Sequence, residues 1–198
     1  MIDWPVSQPT LSVNAPSQAV DQGAKTLGQH LSIILRPLRE TDIDPIFHAC
    51  QDPTISAFTR VPYPYEREMA EEFVRGSDIA YRNHKSVIFA IEVNGTFAGA
   101  IDLHAIELGD HCAEIGYWVE QSFRGRGVCT SAVKTLIAYA IDVMKFRRLE
   151  GLADYNNITS QRVMERAGMV REALLRNKVT KPNGDQIDMV LLAKTWDK

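Results

Sequence analysis

The sequence lacks a surplus of positive charge and a long apolar run. Its 22 Lys and Arg residues are outnumbered by 25 Asp and Glu residues, so the formal net charge is −3. A slightly acidic chain is a poor partner for nucleic acid or for an anionic membrane surface. No apolar run approaches the ~20 residues that a membrane-spanning helix needs. These absences argue against direct nucleic-acid binding and membrane insertion, and they favour small-molecule chemistry.

Disulfide and metal-ligand patterns are also missing. The three cysteines, Cys50, Cys112 and Cys129, are an odd number without a C-x-x-C pair, and no segment resembles a cleavable secretion signal. This pattern predicts a reduced, cytoplasmic setting. The five histidines are scattered without the spacing of metal ligands, so no metal site is predicted.

The chain is long enough to bury a sizeable core without a disulfide or a metal. Residues 1–30 are rich in Ser, Gln, Asn, Ala and Pro and have weak periodicity. Such a segment buries too little apolar area to offset its ordering entropy, so we expect an N-terminal arm that is weakly ordered or peripheral. Residues 31–198 are predicted to form a single domain.

Periodicity and turn residues predict the elements of that domain. The predicted strands are Leu31–Leu38, Val87–Val93, Thr96–Ala105, Cys112–Val119, Arg148–Ala153, Met169–Val179 and Gln186–Ala193, and the predicted helices are Ile43–Gln51, Tyr65–Asn83, Gly127–Met144 and Asn157–Ala167. Asp52-Pro53 is expected to end the first helix. Asn94-Gly95 is a strong hairpin signal, because both turn residues must take positive φ. The strand, helix and strand from Cys112 to Ala153 predict a parallel crossover. The fold class is therefore α/β, with a mixed sheet flanked by helices.

The loop before the long helix carries the strongest chemical signal. It contains Arg124, Gly125, Arg126, Gly127, Val128, Cys129 and Thr130. Glycines let the backbone approach a ligand, a helix N-terminus favours negative charge, and Arg124 and Arg126 supply side-chain cations. We therefore expect a diphosphate or polyphosphate there. The G-x-x-x-x-G-K-[ST] pattern of a P-loop is absent. The G-x-G-x-x-G pattern of a dinucleotide-binding turn is a weak match, because Thr130 stands where the third glycine or other small residue is expected. Glu150, however, lies near the distance in sequence expected of a ribose-binding carboxylate. An ordinary turn with glycines is the third interpretation.

Two motifs resemble those of the GNAT superfamily of acetyl-CoA-dependent N-acetyltransferases. Arg124-x-x-Gly127-x-Cys129 is similar to the family's R/Q-x-x-G-x-G/A loop, and Glu114-Ile-Gly-Tyr-Trp-Val119 is similar to the strand before it. Asn157-Ile-Thr-Ser160, followed by Glu165-Arg-Ala-Gly168-Met169, resembles the N-x-x-S and E-x-x-G-F segment of the RimJ/RimL branch, which acetylates ribosomal-protein N-termini. The resemblance extends roughly from Leu31 to Trp196. It departs from the loop pattern at Cys129, a small residue where Gly or Ala is usual.

The resemblance implies a mostly antiparallel sheet whose fourth and fifth strands splay apart, with acetyl-CoA in the gap. The pantetheine arm is expected along Tyr117, Trp118 and Val119, and the pyrophosphate on the amides of residues 124–130. Asn157 is expected to contact the pantetheine arm, and it also suits the N-cap of its helix. Ser160 is expected to contact the sulfur atom.

Acetyl transfer needs a neutral amine, a donor to the developing oxyanion and a proton for the departing thiolate. An α-amine has a pKa of about 8, so on the order of a tenth is neutral at pH 7 and no strong base is needed. Glu114 is the candidate base, acting directly or through one water, with an orienting or structural carboxylate as the alternative. A backbone N–H near Val119 is the candidate oxyanion donor.

The thiolate's proton donor follows from the resemblance. Many family members use a tyrosine at the position of Met164, which has no proton to donate. Ser160 matches the serine that serves this role in the RimL branch, and Tyr155 is a second candidate donor. Thr180 stands where RimL-like enzymes can carry a catalytic glutamate. Asp188 is expected to bond the neighbouring strand, with substrate orientation as the alternative.

The predicted function is the transfer of an acetyl group from acetyl-CoA to a primary amine, foremost the α-amino group of a ribosomal-protein N-terminus. The alternatives are a small amine, such as a polyamine, amino acid, antibiotic or antimetabolite, and a non-catalytic CoA-binding module. Pro53–Tyr65 and Lys181–Gln186 are expected to line the acceptor pocket, with Pro62–Tyr65 either a substrate lid or a packed loop. The resemblance also allows a homodimer, although no segment of the sequence indicates an interface.

Overall fold

A computed structural model of the chain describes residues 1–13, 31–181 and 184–196. Within these ranges the strands are β1 (Leu11–Ser12), β2 (Ile33–Pro37), β3 (Val87–Val93), β4 (Thr96–Glu107), β5 (Cys112–Val119), β6 (Arg148–Asp154), β7 (Val170–Thr180) and β8 (Gln186–Thr195). They form one sheet in the order β1-β2-β3-β4-β5-β6-β8-β7. The pairing is antiparallel throughout except between β5 and β6. The predicted mixed α/β sheet is confirmed.

The α-helices of the described residues are α1 (Ile43–Ala49), α2 (Pro53–Phe58), α3 (Arg67–Arg82), α4 (Val128–Asp142) and α5 (Ile158–Arg166). Four of them lie within about two residues of the predicted bounds. The sequence prediction missed α2, because Pro53 was interpreted only as the end of α1. Proline also suits the first position of a helix, and the Asp52 carboxylate caps α2 by accepting the Thr54 N–H at 2.8 Å.

The sheet separates two apolar clusters. On one face, α4 and α5 bury side chains such as Leu136 and Met164 against Phe89 and Ile101. On the other face, α1 and the first part of α3 pack around Ile46, Val74 and Phe97. Because side chains alternate along a strand, consecutive residues of β5 face different clusters. Tyr117 packs toward the α4 side and Trp118 toward the α1 side.

Two connections predicted from local sequence are confirmed. Asn94 and Gly95 both take positive φ, 51° and 81°, and they join β3 to β4 in a tight hairpin. The long helix α4 carries the chain from β5 to β6, which pair in parallel. The final hairpin is also present, and its later strand β8 is the one that pairs with β6. Pro182 and Asn183, in the turn between β7 and β8, lie outside the described residues.

The first 13 residues run along the domain. The Trp4 ring packs against Tyr81 and His84, the Asp3 N–H donates to the Met144 carbonyl, and β1 pairs with β2. Residues 14–30, the rest of the predicted arm, lie outside the described residues.

Candidate functional site

The centre of the sheet opens between β5 and β6. The two strands are paired only over Cys112, Ala113 and Glu114, opposite Arg148, Leu149 and Glu150. Beyond Glu114, β5 continues to Val119 paired with β4, while β6 continues to Asp154 paired with β8. The expected splay of the fourth and fifth strands of the domain is therefore confirmed. It leaves one edge of β5, from residue 115 to residue 119, facing a gap.

The glycine loop lies beside this gap, between β5 and α4. Gly125 and Gly127 have φ of 74° and 77°, a left-handed conformation that favours glycine. At both positions nothing lies within 4 Å of where a Cβ atom would stand. The Ser131 N–H donates to the Gly127 carbonyl, the first hydrogen bond of α4. The N–H groups of residues 128–130 therefore belong to the first turn, where backbone N–H groups have no carbonyl partner within the helix. This end of α4 suits a bound anion.

The side chain of Arg124 does not lie among these amides. Its Nε donates to the Val119 carbonyl at 2.8 Å, and its two terminal nitrogens donate to Thr54 Oγ1 at 2.9 Å and Asp52 Oδ2 at 2.8 Å. Partial burial acts to raise the pKa of Asp52, but the hydrogen bonds from Thr54 and the Arg124 charge lower it below its usual range. Arg124 thus joins the end of β5 to the start of α2, a contact that the sequence prediction did not include.

The other loop residues differ in exposure. Arg126 is exposed, Val128 is buried, and Cys129 and Thr130 are half-buried. Burial raises the pKa of the Cys129 thiol to about 12. At neutral pH this side chain is therefore a small neutral group that fills space at the start of α4.

Tyr117, Ser160 and Asn157 come together across the gap. The Tyr117 hydroxyl donates to the Ser160 carbonyl at 3.1 Å and lies 2.9 Å from Ser160 Oγ, where either hydroxyl can donate. Asn157 Oδ1 accepts the Ser160 N–H at 3.0 Å, which confirms Asn157 as the N-cap of α5. Burial raises the pKa of Tyr117, so the phenol stays protonated at neutral pH.

Glu114 lies at the last paired position of β5, in contact with a histidine that the sequence prediction passed over. His104 Nε2 is 3.6 Å from Glu114 Oε2, and His104 Nδ1 is 2.6 Å from Asp102 Oδ1. The interaction with His104 lowers the pKa of Glu114, an effect that burial opposes and that the charges of Arg60 and Lys178 reinforce. The pairing of His104 with Glu114 depends on the register of the β4–β5 hairpin. That register cannot be counted from the turn, because it shifts between His104 and Glu107.

Four other residues considered from the sequence have clear positions. The Tyr155 side chain follows β6 and is half-exposed, while Met164 is buried and packs against Gly151. Thr180 Oγ1 accepts a hydrogen bond from Gln186 at 2.9 Å across the last hairpin. Asp188 Oδ1 accepts the Asn177 N–H from the neighbouring strand at 2.8 Å, as predicted.

No helix within the described part of the chain is long and apolar enough to cross a membrane. None of the three cysteines forms a disulfide.

The chain is similar to known acetyltransferases in sequence. Residues 32–170 match the sequence model of the acetyltransferase (GNAT) domain. The putative ribosomal N-acetyltransferase YdaF of Bacillus subtilis is 35% identical over 107 residues, 52% of this chain and 58% of that protein. The ribosomal-protein-serine acetyltransferase of Escherichia coli is 24% identical over 148 residues, 73% of this chain and 83% of that protein. The chain spans little more than half the length of YdaF and of the probable N-acetyltransferase YjcK of the same organism.

Solved structures share the fold. RimL, the ribosomal L7/L12 α-N-protein acetyltransferase in complex with coenzyme A, superposes with a TM-score of 0.77 at 22% identity, covering 82% of this chain and 93% of that one. The microcin C7 self-immunity acetyltransferase MccE, in complex with acetyl-CoA and AMP, gives a TM-score of 0.74 at 23% identity, covering 83% of this chain and 92% of that one. With the splayed sheet, the glycine loop and a family match over well more than half of its length, the chain belongs to the GNAT acetyltransferase family.

Proposed function

We propose that the chain transfers the acetyl group of acetyl-CoA to a primary amine, and that its main acceptor is the α-amino group of a ribosomal-protein N-terminus. The observation that carries the proposal is the gap between β5 and β6, which opens beside the glycine loop of α4. An extended pantetheine arm fits along β5 there, because the edge of Tyr117, Trp118 and Val119 that faces the gap is not paired with β6.

The loop residues suit the diphosphate of acetyl-CoA. The open space at Gly125 and Gly127 lets phosphate oxygens approach the backbone, and the amides of residues 128–130 favour an anion. Since Asp52 and Thr54 hold the Arg124 guanidinium, we assign the side-chain contact with phosphate to the exposed Arg126.

The residues around the gap supply the remaining chemistry. Acetyl-CoA brings a thioester whose carbonyl carbon a neutral amine can attack. Glu114 binds the amine and accepts its proton directly or through one water, and a carboxylate of low pKa suffices because part of an α-amine is already neutral at pH 7. A backbone N–H near Val119 donates to the carbonyl oxygen as its charge develops. Ser160 donates the proton to the sulfur and Tyr117 orients the Ser160 hydroxyl, while Tyr155 is the alternative donor.

The choice of acceptor is supported by the names of the relatives. The Escherichia coli relative is a ribosomal-protein-serine acetyltransferase, and RimL acts on ribosomal L7/L12. MccE, which was solved with AMP, favours a small-molecule acceptor as the second candidate. In the Pro62–Tyr65 loop, which the sequence leaves as either a substrate lid or a packed loop, Tyr65 is buried while Tyr63 is 59% exposed and free to contact an incoming substrate.

Thiol release from acetyl-CoA with a panel of amines tests the function. We expect turnover with peptides that carry ribosomal-protein N-termini and little turnover with polyamines, amino acids or aminoglycosides. Faster turnover with a small amine would select the second candidate. Heat of acetyl-CoA binding in calorimetry without any turnover would indicate a non-catalytic module, and the absence of that heat would contradict all three.

The proposal places this activity in residues 31–198 as a single domain, with residues 1–30 as a peripheral arm. The cytoplasmic location and the homodimer stay predictions. Sedimentation velocity of the purified chain, with and without acetyl-CoA, tests the homodimer.

A further inference from the structure

A histidine links two carboxylates on the face of the sheet opposite α4. In the β4–β5 pairing, His104 stands opposite Glu114, and Asp102 stands opposite Gly116. His104 Nδ1 lies 2.6 Å from Asp102 Oδ1, and His104 Nε2 lies 3.6 Å from Glu114 Oε2. Both ring nitrogens are thus engaged with carboxylates. The described residues contain no group of His, Cys, Asp and Glu side chains that could hold a metal ion, so we interpret the cluster as an ion-paired network.

Gly116 provides the space in which this network lies. A Cβ atom on Gly116 would stand 3.1 Å from Asp102 Oδ2 and 3.1 Å from His104 Cε1. These separations are tighter than ordinary van der Waals contact, so a side chain at this position would displace the pair. The Asp102–His104 pair, along β4, therefore lies in space that Gly116 of β5 leaves open.

The network also lies where an acceptor must arrive. Pairing between β5 and β6 ends at Glu114, so Glu114 stands at the closed end of the gap. The glycine loop and α4 occupy one face of the sheet, which leaves the opposite face for the amine. Glu114 and His104 are on that opposite face, partly exposed at 27% and 38% of their side-chain surface.

We propose that His104, anchored by Asp102 over Gly116, is a positioning residue that holds the Glu114 carboxylate toward the acceptor amine. This inference rests on the proposed acetyl transfer and names a further residue for it. His104 does not touch the reacting atoms, because it acts only through Glu114. One Glu114 oxygen is held by the imidazole, and the other is left for the amine.

The charges around His104 support this arrangement. The hydrogen bond that His104 donates to Asp102, together with the nearby Glu114 carboxylate, outweighs burial and raises the pKa of His104 to about 9. The ring is therefore an imidazolium at neutral pH, which donates to Asp102 and forms an ion pair with Glu114. Arg60, from the segment after α2, and Lys178, from β7, add positive charge near Glu114, while Glu150 pairs with Glu114 in register from β6.

The charge of the His104 ring determines how turnover depends on pH. Below a pH of about 9, the His104 imidazolium holds the ionised Glu114 carboxylate in position. Above it, the neutral ring keeps its Nδ1 proton toward Asp102 and turns the lone pair of Nε2 toward a carboxylate. That contact is repulsive, so we expect Glu114 to move and turnover to fall on the alkaline side.

Two substitutions of His104 separate its contacts. His104→Gln keeps a neutral donor near the position of Nε2, toward Glu114, and His104→Asn keeps one near Nδ1, toward Asp102. We expect kcat to fall about tenfold in His104→Asn and less in His104→Gln, because the ion-pair contact with the Glu114 carboxylate is lost in the first and replaced by a neutral donor in the second. Both variants should lack the alkaline limb. The control is His111→Gln, in the β4–β5 turn away from the gap, which should behave as wild type.

A titration without substrate provides an independent measurement. Carbon-bound proton shifts of the His104 ring report its pKa by NMR, and we expect Asp102→Asn and Gly116→Ala each to lower it. Thermal melting shows whether the Gly116→Ala variant remains folded. If it does not, the Asp102→Asn variant alone tests the change in the His104 pKa.

The outcomes separate the inference from the function on which it rests. If the wild-type chain turns over and His104→Asn has the same rate and pH profile, the role of His104 is overturned and acetyl transfer stays intact. A His104 pKa near its ordinary value in the wild-type protein would overturn the network. No turnover by the wild-type chain with any amine would overturn both proposals.

Discussion

At the scale of single residues, two hydroxyls meet where a thioester sulfur is expected. Ser160 Oγ lies 2.9 Å from the Tyr117 hydroxyl, and Asn157 fixes the Ser160 backbone by capping α5. Tyr117 reaches this position from β5, on the far side of the gap from α5. Asn157 thus fixes the Ser160 backbone, and Tyr117 orients the Ser160 hydroxyl.

Ser160→Ala should lower kcat by about one to two orders of magnitude, because positioned acid catalysis is lost, and leave the Kd of acetyl-CoA nearly unchanged. Tyr117→Phe should cause a smaller loss, since Ser160 remains but loses its partner. Thiol release and calorimetry measure the two quantities, and Ser86→Ala, before β3, is the control. An unaltered rate in Ser160→Ala would remove Ser160 from the mechanism and favour Tyr155.

The second prediction at this scale concerns Gly127. Gly127→Glu places an anion where the diphosphate is proposed to lie, so we expect the heat of acetyl-CoA binding to disappear. Gly95→Glu is a matched control, because Gly95 has a similar φ of 81° and equally open space but lies in the β3–β4 turn. Both variants carry the same backbone strain. Binding by a folded Gly127→Glu variant would contradict the phosphate assignment.

At the scale of elements, Arg124 joins two segments that bind different substrates in the proposal. Its guanidinium connects the end of β5, beside the cofactor loop, with the N-terminus of α2, which begins the segment expected to line the acceptor pocket. One side chain thus makes the position of α2 depend on that of the loop.

Arg124→Met should raise KM for both acetyl-CoA and the acceptor, by about fivefold each, since a partly exposed charged contact contributes about 1 kcal/mol. Arg126→Met, at an exposed neighbour, should raise KM for acetyl-CoA alone. Steady-state kinetics with each substrate varied in turn distinguishes the two patterns. A rise confined to acetyl-CoA in Arg124→Met would show that the contact with α2 does not matter.

The same contact has a pH dependence with a definite sign. The folded state lowers the pKa of Asp52, so its contribution to stability is present above the ordinary pKa of an aspartate and is lost as the pH falls through the lowered value. We expect the Tm difference between wild type and Asp52→Asn to shrink as the pH is lowered from 6 toward 3. A difference that stays constant over this range would contradict the ion pair.

At the scale of the whole molecule, the first residues act as part of the domain's packing. The Trp4 ring lies 5.2 Å from the Tyr81 ring and 4.4 Å from the His84 ring, and the Tyr81 hydroxyl donates to the Pro5 carbonyl at 2.8 Å. Gln8 donates to the Ile88 carbonyl, and Leu11 pairs with Leu35 at the sheet edge. These contacts link the segment to α3, β3 and β2.

Trp4→Ala should lower the free energy of unfolding by about 2 kcal/mol, because a partly buried aromatic ring loses its packing, and Tm by roughly 5 °C for a chain of this size. Val6→Ala is the matched control, since Val6 in the same segment is fully exposed. Urea unfolding of both variants measures the difference. Equal stability of the two variants would indicate that residues 1–13 contribute little to the fold.

Much of the fold could be predicted from the sequence because its signals are local. The Asn94-Gly95 turn, the apolar face of α4 and the Asn157 cap each depend on residues within a few positions of one another. The chemistry of the glycine loop was predictable for the same reason. The exception, α2, came from a local signal with two meanings, because a proline after an aspartate ends one helix and also starts another.

The contacts that join distant segments were decided by tertiary structure. Arg124 is a cation for phosphate in the sequence prediction, but chain folding brings Asp52 and Thr54 to it from 70 residues or more away. His104 reaches Glu114 only through the register of β4 against β5, which depends on an irregularity that no short pattern encodes. The sequence by itself determined most of the helices and strands and the glycine loop that suits an anion, since these follow from neighbouring residues. Only the packed sheet decided which charges meet, because strand order and register bring together groups that are far apart along the chain.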